Sequence, residues 1–86
     1  MKIKDGYIVR KIGTKYYAVS VSQVSGGGGM IALNETGAFI WDLMKEETDV
    51  DTVAAALAEK YEIDLDTAKR DTDAFVGMLK EADALA

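Results

Sequence analysis

The first third of the chain is patterned with a period of two. Tyr7–Ile12 and residues 15–21 are rich in β-branched and aromatic side chains, which predicts two strands. Gly13-Thr14 separates them. A two-residue loop with glycine first predicts a type II′ hairpin, because glycine alone takes a positive φ there at little cost. The implied register sets Ile12 against Lys15, Arg10 against Tyr17 and Ile8 against Val19. One face then gathers Ile8, Ile12, Tyr17, Val19 and Val21, with Arg10 as its exception. The other gathers Tyr7, Val9, Lys11, Tyr16, Ala18 and Ser20. The first is the more apolar and is expected to face the core. Residues 22–29 are polar and then a run of four glycines, which predicts a mobile connection. Met30-Ile31-Ala32-Leu33 predicts a short third strand.

From residue 34 the period changes to that of a helix. Asn34 is expected to cap a helix over residues 35–45, with Phe39, Ile40, Leu43 and Met44 as its apolar stripe. Trp41 lies off that stripe and is expected in the core. Thr48 or Asp49 caps a second helix ending near Tyr61, whose face is Val50, Val53, Ala54, Leu57 and Tyr61. Asp64 or Asp66 caps a third, reaching about Ala82, with a packed seam of Leu65, Ala68, Thr72, Phe75, Leu79 and Ala82. Two further stripes flank that seam. One is Lys69, Asp73, Val76 and Lys80; the other is Asp71, Ala74, Met78 and Leu85. The order β-β-β-α-α-α makes an α+β fold, one domain over residues 1–86.

Composition narrows the chemistry. The 86 residues contain no Cys and no His, which removes thiolate nucleophiles, imidazole bases and zinc clusters. Asp71 with Asp73, and Asp64 with Asp66, are spaced by two, so they do not face each other on a helix and make poor acid/base pairs. No catalytic residue, metal site or cofactor is expected. The glycine run is followed by Met30-Ile31, not by the Lys-Ser/Thr of a phosphate-binding loop. No apolar run is long enough to span a membrane, and no signal peptide precedes Tyr7, so a cytoplasmic location is expected. Charge is uneven: residues 1–33 carry +4 and residues 34–86 carry −9.

The element order, with Leu33-Asn34-Glu35-Thr36-Gly37 followed by Phe39-Ile40-Trp41-Asp42-Leu43, resembles the PqqD family. The stretches from Thr52 to Tyr61 and from Asp71 to Leu79 are similar to it as well. That family takes part in making pyrroloquinoline quinone and is the prototype of the recognition elements of ribosomal peptide natural products. The resemblance implies a winged-helix-like fold: a three-stranded antiparallel sheet packed on three helices. It implies a non-catalytic adaptor that binds the leader of a precursor peptide and presents it to a modifying enzyme, often a radical SAM enzyme. The leader would lie as an added strand along Met30, Ile31, Ala32 and Leu33, against one flank of the third helix. The flank preferred from the sequence is Lys69, Asp73, Val76 and Lys80. The four-glycine run departs from the family pattern.

Elementary physics gives the third strand a reason to bind. A three-stranded meander leaves it on an edge, and it carries neither the charge nor the proline that usually blunts one. An extended peptide could pair there, and so could a second copy of the chain, leaving monomer and strand-mediated homodimer both open. The rival reading for a winged helix is DNA binding. From Asp64 to Ala86 three basic residues face six acidic ones, the wrong sign for a helix entering a groove of phosphates. No nucleic-acid partner is expected.

Overall fold

A computed structural model describes residues 1–20 and 30–86. The elements are β1 (Tyr7–Ile12), β2 (Lys15–Ser20), β3 (Met30–Leu33), α1 (Glu35–Leu43), α2 (Val50–Tyr61) and α3 (Leu65–Glu81). The expectations for Val21 and for the connection over residues 22–29 lie outside the described residues. The sheet is antiparallel with order β1-β2-β3, and the helices follow it in sequence, the α+β winged-helix-like layout.

The hairpin has the expected register, with Ile8 opposite Val19, Arg10 opposite Tyr17 and Ile12 opposite Lys15. Gly13 takes a φ of 65° and Thr14 does not join it in the positive region, as a type II′ turn requires. The faces are the reverse of the expectation. Ala18 is wholly buried, and Tyr7, Val9 and Tyr16 pack against the core beside it, while Ile8 and Ile12 are 45% and 64% exposed. The third strand decides this. Tyr16 pairs with Leu33 and Ala18 with Ile31, so these four residues share one face, and Leu33 is buried. Trp41 on α1 is buried and meets Tyr7 edge-on, ring centroids 5.2 Å apart. The small Ala18 side chain lets the helical layer come close, and the aromatic pair fills the space beside it. Counting apolar residues per face misses this, because Ile8 and Ile12 have no layer to pack on.

Each helix starts on a capping side chain. Asn34 Oδ1 accepts from the Gly37 N–H at 2.7 Å, Asp49 Oδ1 from Thr52 at 2.7 Å and Asp64 Oδ1 from Thr67 at 2.8 Å. α1 is shorter than expected and ends at Leu43. α2 and α3 pack through Val53, Ala54 and Leu57 against Ala68, Thr72, Val76 and Leu79, all buried. Thr72 satisfies its buried hydroxyl by donating to the Ala68 carbonyl at 2.8 Å. The seam of α3 is thus rotated from the expected one. Val76 joins it, whereas Leu65 is 49% exposed and Ala82 is exposed.

The N-terminal segment closes the helical side. Ile3 is buried, donates its N–H to the Met44 carbonyl at 2.9 Å, and forms an isolated bridge with Leu85. The Lys4 ammonium sits 3.1 Å from the Asp83 carboxylate. No helix among the described residues is long and apolar enough to cross a membrane.

Candidate peptide-binding groove

β3 pairs with β2 along one side only; among the described residues nothing pairs with its other side. Alternate residues of an edge strand direct N–H and C=O away from the sheet, so β3 offers a ladder to an extended chain. β1 is the opposite edge, and the charged side chains of Arg10 and Lys11 blunt it. Along β3 the side chains alternate: Met30 and Ala32 are exposed, Ile31 is half-buried and Leu33 is buried. Leu33 therefore anchors the strand to the core and contributes only backbone to an added strand.

A cleft of about 360 Å³ opens at the end of this strand. Asn34, which follows Leu33 directly, stands at its mouth with Thr36. Its floor is Gly37 and Ile40 of α1, and its far wall is Asp71, Ala74 and Phe75 of α3. The volume lies at the small end of ligand clefts, room for one or two side chains rather than a cofactor. Gly37 makes the close approach possible. A Cβ at that position would lie 3.0 Å from the Phe75 ring and 3.1 Å from Asn34 Oδ1. The same Gly37 supplies the N–H that Asn34 caps.

The helix periodicity puts the two flanking stripes of α3 on opposite sides of its buried seam. The stripe of Asp71, Ala74 and Met78 borders the cleft side. Lys69 instead turns toward α2, its Nζ 3.2 Å from Asp51 Oδ1. Asp73 and Lys80 are exposed, and Val76 is only 6% exposed, its side chain spent in the core. None of Lys69, Asp73, Val76 and Lys80 lines this cleft. Val76, read as a groove residue, is buried, because the α2–α3 packing turns it inward. Phe75, read from its spacing as part of the core seam, is half-buried at the cleft wall. The sequence places Gly37 only in the stretch that carries the family resemblance, although a glycine in the first turn of a helix is a signal that something approaches there.

A second cleft, of about 350 Å³, lies on the other side of α1 between the inner sheet face and the end of α2. Tyr16, Phe39 and Tyr61 form its aromatic walls, with Phe39 and Tyr61 edge-on at 5.9 Å. Burial, and next the Glu35 carboxylate, hold the Tyr61 hydroxyl above its usual pKa. Its sheet residues are Val9, on the β1 edge that Arg10 and Lys11 blunt, and Tyr16, on the central strand, so it does not adjoin β3.

The three-strand, three-helix frame with one open edge beside a helix-walled cleft defines a winged-helix-like recognition fold. The chain belongs to the PqqD family: the model of that family, described as coenzyme PQQ synthesis protein D, matches residues 20–85. The fold is similar to a solved structure described as TbiB1 in complex with the TbiA(beta) leader peptide, with a TM-score of 0.78 and 25% identity. The likeness covers 99% of this chain and 94% of that one. No curated protein matches the sequence.

Proposed function

We propose that residues 1–86 act as one peptide-binding unit, an adaptor that takes the leader of a ribosomally made precursor peptide as a fourth strand on β3. The carrying observation is the juxtaposition of an uncharged open edge, Met30–Leu33, with the cleft between α1 and α3. Family membership supports the reading, and so does a neighbour of similar fold bound to a leader peptide. Backbone hydrogen bonds of about 0.5–1.5 kcal/mol each would hold the strand. Side chains entering the cleft would supply the rest of the affinity and its selectivity. The helix wall of the groove is assigned to Asp71, Ala74, Phe75 and Met78. Lys69, Asp73 and Lys80 stand on the α2 flank and are assigned to its periphery.

In this reading the adaptor has no turnover of its own. It works in the cytoplasm and hands the peptide to a modifying enzyme, a radical SAM enzyme being the class the family resemblance suggests. The acidic balance of α3 argues against a duplex as the partner.

The test is hydrogen exchange with a peptide selected from a randomised display library as the probe. Binding should protect backbone amides within Met30–Leu33 and leave β1 unchanged. Ala32→Pro and Ile31→Pro provide the partner experiment. The variant whose replaced N–H points outward should stay folded and lose the peptide. Peptide binding with unchanged exchange in β3, or normal binding by both folded proline variants, would overturn strand addition.

A further inference from the structure

The cleft holds one unanswered charge. Of the residues that line it, Asp71 is the one of charged type. Four other carboxylates have partners: Asp42 with Lys45, Asp51 with Lys69, Asp83 with Lys4 and Glu47 with the amino terminus. Asp71 has no ion pair among the described residues. Its own helix supplies none either. The positions three and four residues away are Thr67, Ala68, Ala74 and Phe75, none of them cationic. An exposed carboxylate normally asks for no explanation. Here it stands on the wall of a cleft that has Ile40 in its floor and opens at the end of an edge strand without charge of its own.

From this we infer that Asp71 is a specificity residue of the groove, selecting peptides that carry a Lys or Arg beside the apolar side chain entering the cleft. This inference rests on the strand-addition reading. The apolar side chain would cover Ile40, Ala74 and Phe75. The cationic one would lie along the rim with its stem on the apolar wall and its head at the Asp71 carboxylate. The field of the helical half acts in the same sense, since residues 34–86 carry a balance of −9 and draw a cationic segment toward this side of the molecule. A peptide with Asp or Glu at that place would meet repulsion with no cation among the residues that line the cleft, which excludes wrong partners as well as favouring right ones.

Selection from a randomised peptide library on the folded protein tests this. Enriched peptides should share a Lys or Arg at one fixed spacing from an apolar residue. A selected peptide should bind Asp71→Asn about fivefold more weakly, the scale of a rim ion pair. Selection on Asp71→Lys should exchange the cation for Asp or Glu at the same spacing, a switch that a purely structural role for Asp71 would not produce. Circular dichroism should show both variants folded, and Asp71→Asn carries the test alone if Asp71→Lys does not fold. Peptides that need the β3 edge, shown by loss of binding in the folded proline variant, but lack a cationic preference would overturn the role of Asp71 and leave strand addition standing. An unchanged preference on Asp71→Lys would do the same. No enrichment at all by the folded protein would overturn strand addition and this inference together.

Discussion

Gly37 and Phe75 meet at the base of the cleft so closely that a methyl group on the glycine would lie 3.0 Å from the ring. Asn34 Oδ1 presses from another direction at 3.1 Å. The position thus serves two ends: it donates the capping hydrogen bond that starts α1, and it leaves the room in which α3 approaches. The cap is local, set by Asn34 directly after β3, whereas the close approach depends on Phe75 of α3, so one residue ties the start of α1 to the packing of a distant helix.

Two glycine replacements in helices should therefore move in opposite directions. Gly77 lies within α3 with nothing near its missing Cβ. Gly77→Ala should stabilise by about 1 kcal/mol from helix propensity alone. Gly37→Ala gains the same propensity but meets overpacking worth about 1–3 kcal/mol, because relief from the ring presses on the cap. It should lose about 1 kcal/mol net and narrow the cleft. Chemical denaturation of the pair, with peptide affinity alongside, checks the sign of each.

The reversed sheet faces predict which apolar strand residues matter. Ile12 is 64% exposed and Leu33 is 4% exposed. Ile12→Thr should change stability by less than about 0.5 kcal/mol, in keeping with a surface site. Leu33→Ala should cost about 2–5 kcal/mol. Thermal unfolding that ranked the two the other way would return Ile12 to the core face.

Glu62 ends α2 with φ 54° and ψ 44°, in the left-handed region. A glycine avoids the Cβ strain of that conformation, so Glu62→Gly should raise stability by about 0.5–1 kcal/mol. Loss of stability in a urea titration would show that the Glu62 side chain contributes more than its backbone costs.

The capping aspartates set the acid limb of stability. Accepting hydrogen bonds from the Thr52 backbone holds the Asp49 carboxyl below the usual range, and Thr67 does the same for Asp64. In the unfolded chain both take up protons at higher pH than in the folded one. Their contribution is therefore complete above the ordinary carboxylate range and is lost as pH falls through the depressed folded values. Asn can cap without titrating, so Asp49→Asn with Asp64→Asn should flatten the loss of stability below about pH 4, where an ordinary aspartate titrates. An acid limb as steep as that of the parent would assign the acid loss to other carboxylates.

Much of the architecture was legible along the chain because it is local. The hairpin register follows from one glycine in a two-residue loop, and the caps follow from Asn34 and from the pairs Thr48/Asp49 and Asp64/Asp66 placed just before helical periodicity, of which the structure uses Asp49 and Asp64. β3 as an edge follows from strand order in a meander. Orientation was less legible. The face of Ile8, Ile12, Tyr17, Val19 and Val21 is the richer in apolar residues, yet the Ala18 face is buried because Leu33 pairs into it and Tyr7 meets Trp41. The flank of α3 that borders the cleft was likewise ambiguous, since Lys69 and Asp71 sit beside the same seam and only Asp51 of α2 shows which way Lys69 turns.

The sequence by itself determined the elements, their order and the family, and narrowed the caps to neighbouring residues, because these rest on contacts between residues a few positions apart and on short motifs. The tertiary structure decided which sheet face is covered, that Val76 belongs to the core, and that Gly37 and Phe75 make the cleft. Those outcomes depend on how whole faces of separate elements compete for one small interior, and packing volume settles that competition where a count of apolar residues cannot.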